Sequence, residues 1–195
     1  MSAKILTGKE TFSYTLATSP KKTLLDFWAW NCSDLMNNTL RGALAEYIVA
    51  MSLNIPFSSA RCDWSEYDLI TNDNIRIEVK CSAYLQSWEQ SKLSEIRFSC
   101  GPSQSFSNQK YDGISLRHSD AYIFCIYTCK EKEKSDILNL DDWLFYILPT
   151  NILNREIGLQ KTISLNALLR LKPTKAYYHE IYEALHSALN LSRDM

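Results

Sequence analysis

The chain has 195 residues, 21 Lys and Arg against 22 Asp and Glu for a net charge of −1, and only five Gly and five Pro. That length suits one domain, which buries about 70% of its unfolded surface and needs no staple to hold a core. Composition excludes collagen-like and low-complexity classes, and no apolar run approaches the ~20 residues of a membrane span. Near-zero charge also excludes a protein that grips nucleic acid by bulk positive charge. Met1 to Lys9 carry no apolar signal core, so the expectation is a soluble, cytoplasmic protein. Six cysteines stand singly, with no Cys-x-x-Cys pair. They read as small core residues, not as a disulfide framework or a zinc site.

Residues Met1 to Thr18 are polar and carry no clear pattern. Ser19-Pro20 offers a helix start, and Leu24, Leu25, Phe27 and Trp28 fit a short apolar helix ending near Asn31. Thr39 to Leu53 is the clearest helix, ended by Asn54 and Pro56. Tyr67–Thr71 and Ile75–Ser82 read as strands around Asn72-Asp73-Asn74, and Leu93–Cys100 as a third. Gly101–Ser119 is polar and predicts a long loop. Ala121–Cys129 and Trp143–Leu148 are continuous apolar runs, as in strands buried on both faces, with the charged Lys130–Lys134 stretch as a solvated connection. Helices are predicted after Ser164 and after Thr174. The whole reads as one α/β domain, a mixed sheet flanked by helices, with its core at about 20–150 and helices at 151–195.

Chemistry concentrates between Arg41 and Lys80. Glu46 shares a helix face with Gly42, Ala43, Val49, Ala50 and Leu53. A carboxylate on that packed face loses water and needs a cation or donor, and Arg41, five positions away, is poorly placed to supply it. In Ile75 to Ser82 the odd positions are apolar and the even ones polar, which puts Glu78 and Lys80 on one face, about 6.6 Å apart. If Asn72-Asp73-Asn74 is a three-residue turn, paired positions place Asp68 opposite Glu78. Like charges so opposed destabilise a sheet unless a divalent cation lies between them. Hard oxygen ligands of this kind suit Mg²⁺, with Mn²⁺ as a substitute.

Glu46 on a helix, Asp68 in Tyr67-Asp68-Leu69, and Glu78-Val79-Lys80 together resemble the core of the PD-(D/E)XK, or restriction-endonuclease-like, nuclease superfamily. The resemblance implies that Asp68 and Glu78 bind metal, with the Val79 carbonyl as a further ligand and Glu46 as the helix carboxylate beside it. It implies that Lys80 is the catalytic lysine and that Gln86 lies near the substrate phosphate. Tyr67 stands where the family has a proline. DNA is implied over RNA, and restriction or antiviral defence as the setting. Lys110 and Arg117, in the predicted loop, are expected to contact the phosphate backbone. A rival of another class is a non-catalytic module on the same fold, and the neutral charge leaves room for a second copy or a larger protein complex.

His118 and the His179/His186 pair read as ordinary surface histidines. Trp64 and Trp88, which flank the motif, read as packing aromatics with base stacking as the alternative.

Overall fold

The computed structural model describes residues 4–62, 65–107 and 110–193; Trp64 lies outside them. A five-stranded mixed sheet organises the chain, in the order β1 (Leu69–Ile70), β2 (Arg76–Ala83), β6 (Ala121–Tyr127), β7 (Trp143–Pro149), β9 (Thr174–Ala176). Only the β2–β6 pairing is parallel. The two continuous apolar runs occupy inner positions, and every residue of β6 is buried.

The pleat sorts these side chains into two cores. Ile77, Val79, Ile123, Cys125, Tyr127, Trp143, Phe145 and Ile147 pack against helices α2 (Asn38–Ser52) and α5 (Ile181–Arg193). The alternate residues Tyr122, Phe124, Ile126, Tyr146 and Leu148 pack against α3 (Thr150–Ile157), α4 (Leu165–Arg170) and the small β3/β8 sheet (Arg97–Ser99, Thr162–Ser164). Helices thus cover both faces, as the apolar runs predict.

Four expectations are corrected. Helix α1 (Leu24–Cys32) starts at Thr23, not at Ser19-Pro20, because Thr23 and Asp26 form a capping box. The predicted strand Leu93–Cys100 is ordered as strand only over β3. The polar segment Gly101–Ser119 is not one loop but holds a separate hairpin, β4 (Ser103–Ser107) with β5 (Lys110–Leu116). Thr174 opens strand β9, and helix α5 begins only at Ile181. The described part of α5 and of the other helices includes none long and apolar enough to cross a membrane.

Candidate active site

The β1–β2 hairpin turns through Asn72-Asp73-Asn74. Asn74 takes a left-handed backbone (φ 65°), a conformation asparagine tolerates better than most residues, and the Thr71 N–H closes the loop onto the Ile75 carbonyl at 3.0 Å. The ladder pairs Ile70 with Arg76 and Leu69 with Ile77, the register that a three-residue turn demands. Asp68 comes next. Its N–H donates to the Ile77 carbonyl at 3.0 Å, and its carboxylate accepts from the Val79 N–H at 2.7 Å. A side chain here replaces a backbone partner, so the strand ends at β1 while Asp68 stays fixed against the middle of β2.

Along β2, Glu78 and Lys80 occupy the positions beside Tyr122 and Phe124 of β6. Their side chains meet, Lys80 Nζ to Glu78 Oε1 at 2.5 Å, and both are mostly buried, with 28% and 19% of side-chain surface exposed. Burial holds Glu78 above the usual carboxylate range; Asp68 and Glu46 push it further, while Lys80 opposes them. Burial works against the Lys80 charge, but Glu78, Asp68 and Glu46 prevail and raise its pKa above the ordinary lysine value. Lys80 is therefore held as an ammonium in a partly dry site. The field of Glu78 also reaches Tyr122, whose hydroxyl is pushed upward mainly by burial.

Glu46 arrives from α2 beside the buried stripe of Ala45, Ile48, Val49 and Ala50. Burial raises its pKa, Arg61 opposes, and the Asp68 charge adds to the rise. Asp68 thus acts on Glu46 and Glu78 alike, while Lys80 lowers both. The required cation is Arg61, whose Nε and Nη2 donate to the two Glu46 oxygens at 2.5 and 2.7 Å. Arg61 is a partner that spacing on the helix could not reveal. Its signal was nonetheless present, since it is the only basic residue between Arg41 and Arg76. Glu46, Arg61 and Asp68 line one cleft of about 630 Å³.

The remaining candidates stand apart from this group. Gln86 is engaged at both ends of its amide, accepting from Arg41 Nη2 at 3.2 Å and donating to the Ala83 carbonyl at 3.0 Å. Arg41 is itself buried and also donates to the Met36 carbonyl and Asn38, so it braces the end of β2 and leaves Glu46 to Arg61. Arg117 does not sit on an exposed loop. It is 9% exposed, and its guanidinium donates to the Cys100 carbonyl at 2.7 Å, Asn154 at 2.8 Å and the Gln160 carbonyl at 3.5 Å. The expectation that Arg117 reaches a phosphate is corrected: the polar segment folds as a hairpin, and its base buries this arginine as an internal tie. Lys110 opens β5; its side chain lies outside what is described. His179 falls in a short 3₁₀ turn and His186 on α5, so the two do not share one helix.

The donor set is chemically that of a hard divalent cation: carboxylates and a backbone carbonyl, with no thiol or imidazole. Among the described residues, no three His, Cys, Asp or Glu side chains are gathered so as to hold a metal unaided. Mg²⁺ does not require that, since it is commonly held by one or two carboxylates, waters and substrate phosphates. Asp68, Glu78 and the Val79 carbonyl fit that mode.

Comparison with known proteins decides what kind of chemistry this is. The family model described as bacteriophage T4 endonuclease IV matches residues 5–167, a stretch that runs from α1 into the first half of α4 and contains Glu46, Asp68, Glu78, Val79, Lys80, Gln86, Lys110 and Arg117. The chain belongs to the bacteriophage T4 endonuclease IV family. No curated protein and no solved structure matches it. Membership of the T4 endonuclease IV family makes the chain a nuclease and nucleic acid its substrate. Within the matched stretch lie Asp68, Glu78 and Lys80, with Glu46 coupled to them electrostatically.

Proposed function

We propose that the protein is a Mg²⁺-dependent DNA endonuclease of the PD-(D/E)XK type, with Asp68, Glu78 and Lys80 at its catalytic centre. The observation that carries this reading is the buried Glu78–Lys80 pair beside Asp68, in a chain of an endonuclease family. Asp68, Glu78 and the Val79 carbonyl would hold the cation, with Glu46 near it. When bound, the cation supplies charge to a phosphoryl oxygen and lowers the pKa of a water.

The chain's own residues do the rest. Asp68 is oriented by the Val79 N–H, so its carboxylate needs little reorganisation to accept a ligand. Lys80 stays protonated because three carboxylates surround it. Its Nζ–H groups hold the attacking water by its oxygen and offset the charge that develops on the phosphorus oxygens as one bridging oxygen leaves. Low exposure limits screening of that charge. Lys110, at the start of β5, is retained as a candidate contact to the backbone. The setting we propose is restriction or antiviral defence, and comparing phage plating on cells with and without the protein tests it.

The reading is tested by incubating purified protein with plasmid, circular single-stranded DNA and RNA, in Mg²⁺, Mn²⁺ or EDTA. DNA is expected to be cut internally in either metal and left intact in EDTA. Glu78→Ala and Lys80→Ala should each reduce the rate about a hundredfold or more, as loss of a positioned group in proton or charge chemistry does, with far-UV circular dichroism unchanged. Cleavage in EDTA, or wild-type rates in either variant, would overturn the assignment. Binding without cleavage by the wild type would favour the non-catalytic module.

A further inference from the structure

The cleft lined by Glu46, Arg61 and Asp68 extends along α2 and the segment after it, where its walls are Tyr47, Ile55, Pro56 and Phe57. Its volume, about 630 Å³, lies in the range of sites that take a small molecule or one unit of a polymer. Tyr47 and Phe57 stack with ring centroids 4.6 Å apart and planes inclined by 23°. Yet Tyr47 is 47% and Phe57 49% exposed. A pair serving only the core would hide both faces; this one shares a cleft with two of the candidate catalytic carboxylates while keeping half its surface in water.

We infer that the Tyr47–Phe57 pair is a base-stacking subsite, which takes the base of one nucleotide flanking the scissile phosphate. The inference rests on the endonuclease reading above. A strand whose phosphate reaches Asp68 brings a neighbouring base within the same cleft, and a base is the flat, weakly hydrated part of a nucleic acid. Charge points the same way. The protein carries a net −1, and the basic residue in this cleft, Arg61, already pairs with Glu46. Strand affinity must then come in good part from contacts that salt does not screen. Stacking on aromatic rings is such a contact and tolerates any base. The base can be flipped from a duplex or belong to an unpaired strand; the chemistry recognised is the same.

The test is steady-state cleavage of end-labelled oligonucleotides, in single-stranded and duplex form, by wild type and by Tyr47→Ala, Phe57→Ala, Phe57→Leu and Phe57→Trp. Each substrate is also made with a tetrahydrofuran abasic residue on either side of the cut bond. Phe57→Ala and Phe57→Leu should lower kcat/KM about 5- to 150-fold, mainly through KM, as removal of one stacked base contact does. Phe57→Trp should retain activity. The abasic residue on one side should cost wild type a similar factor and cost Phe57→Ala almost nothing more. Melting temperatures identify any variant that is merely unfolded, and Tyr47→Ala provides an independent probe. Full activity in Phe57→Leu would mean packing alone, and an equal abasic penalty in wild type and Phe57→Ala would mean that the base lies elsewhere; either overturns the subsite while leaving the endonuclease intact. If wild type cuts no substrate, the endonuclease reading fails and the subsite with it.

Discussion

Glu78 and Glu46 are held above the usual carboxylate range chiefly by burial, and the charge of Asp68 adds to both. A carboxyl with a raised folded pKa binds its proton more tightly in the folded state. Its contribution to stability is full below the ordinary carboxylate pKa and is lost as pH rises through the folded value. Wild type is therefore expected to lose stability, relative to Glu78→Gln, as pH rises from the ordinary carboxylate range towards neutrality. Urea unfolding of both proteins across that window measures it, and a constant difference would deny that Glu78 is desolvated. Lys80 stays charged in both proteins throughout the acidic window, so it does not mask the effect. In Asp68→Asn the pKa values of Glu46, Glu78 and Lys80 should all fall, since the Asp68 charge raises each of them; NMR titration of the carboxyl carbons follows the two acids.

At the scale of elements, the hairpin β4–β5 is tied to the body through Arg117 at its base. The guanidinium is buried and binds two carbonyls and Asn154. Arg117→Ala should cost about 2–3 kcal/mol, because it leaves buried acceptors without a donor, and should leave the salt dependence of nucleic-acid binding unchanged. Chemical denaturation and a salt series check the two halves. The β1–β2 hairpin shows why part of the site was legible in advance. The alternation in Ile75 to Ser82 gives the faces, the register follows only if Asn72-Asp73-Asn74 is a three-residue turn, and Leu69 opposite Ile77 is the register of that turn. Continuous apolar runs likewise announce β6 and β7. By contrast, β9 and β8 are three residues each, too short to show a period, and the β4 and β5 segments are polar in sequence, with no sustained apolar alternation to announce a strand. Arg117 could not be told from a surface arginine, because its partners lie 17 to 43 positions away. Helical spacing likewise does not join Arg61 to Glu46, 15 positions apart across a Ser-rich stretch, and the clue is only that Arg61 is the one basic residue between Arg41 and Arg76.

For the whole molecule, the two cores divide the labour. One holds α2 and Glu46 against the sheet, while Glu78 and Lys80 lie on the opposite pleat, in line with Tyr122 and Phe124 of the other core. Asp68 stands at the short edge strand between them, and β1 is only two residues long. A longer edge strand would separate the faces; this short one lets the charges of Glu46, Asp68 and Glu78 act on one another. The site is thus a product of sheet topology as much as of the motif. A net charge of −1 leaves positive potential to be supplied locally, by Lys80 and by the proposed cation.

That cation is the most exposed part of the account. Isothermal titration of Mn²⁺ and of Mg²⁺ into wild type, Asp68→Asn and Glu78→Ala measures its binding directly, without substrate or turnover. One site is expected in wild type, tighter for Mn²⁺, together with a melting temperature that rises with metal concentration, because the unfolded chain lacks the site. Binding should weaken at least about tenfold in Asp68→Asn and Glu78→Ala, as loss of one anionic ligand requires. Equal affinity in all three proteins would contradict the assignment of Asp68 and Glu78 as the metal ligands.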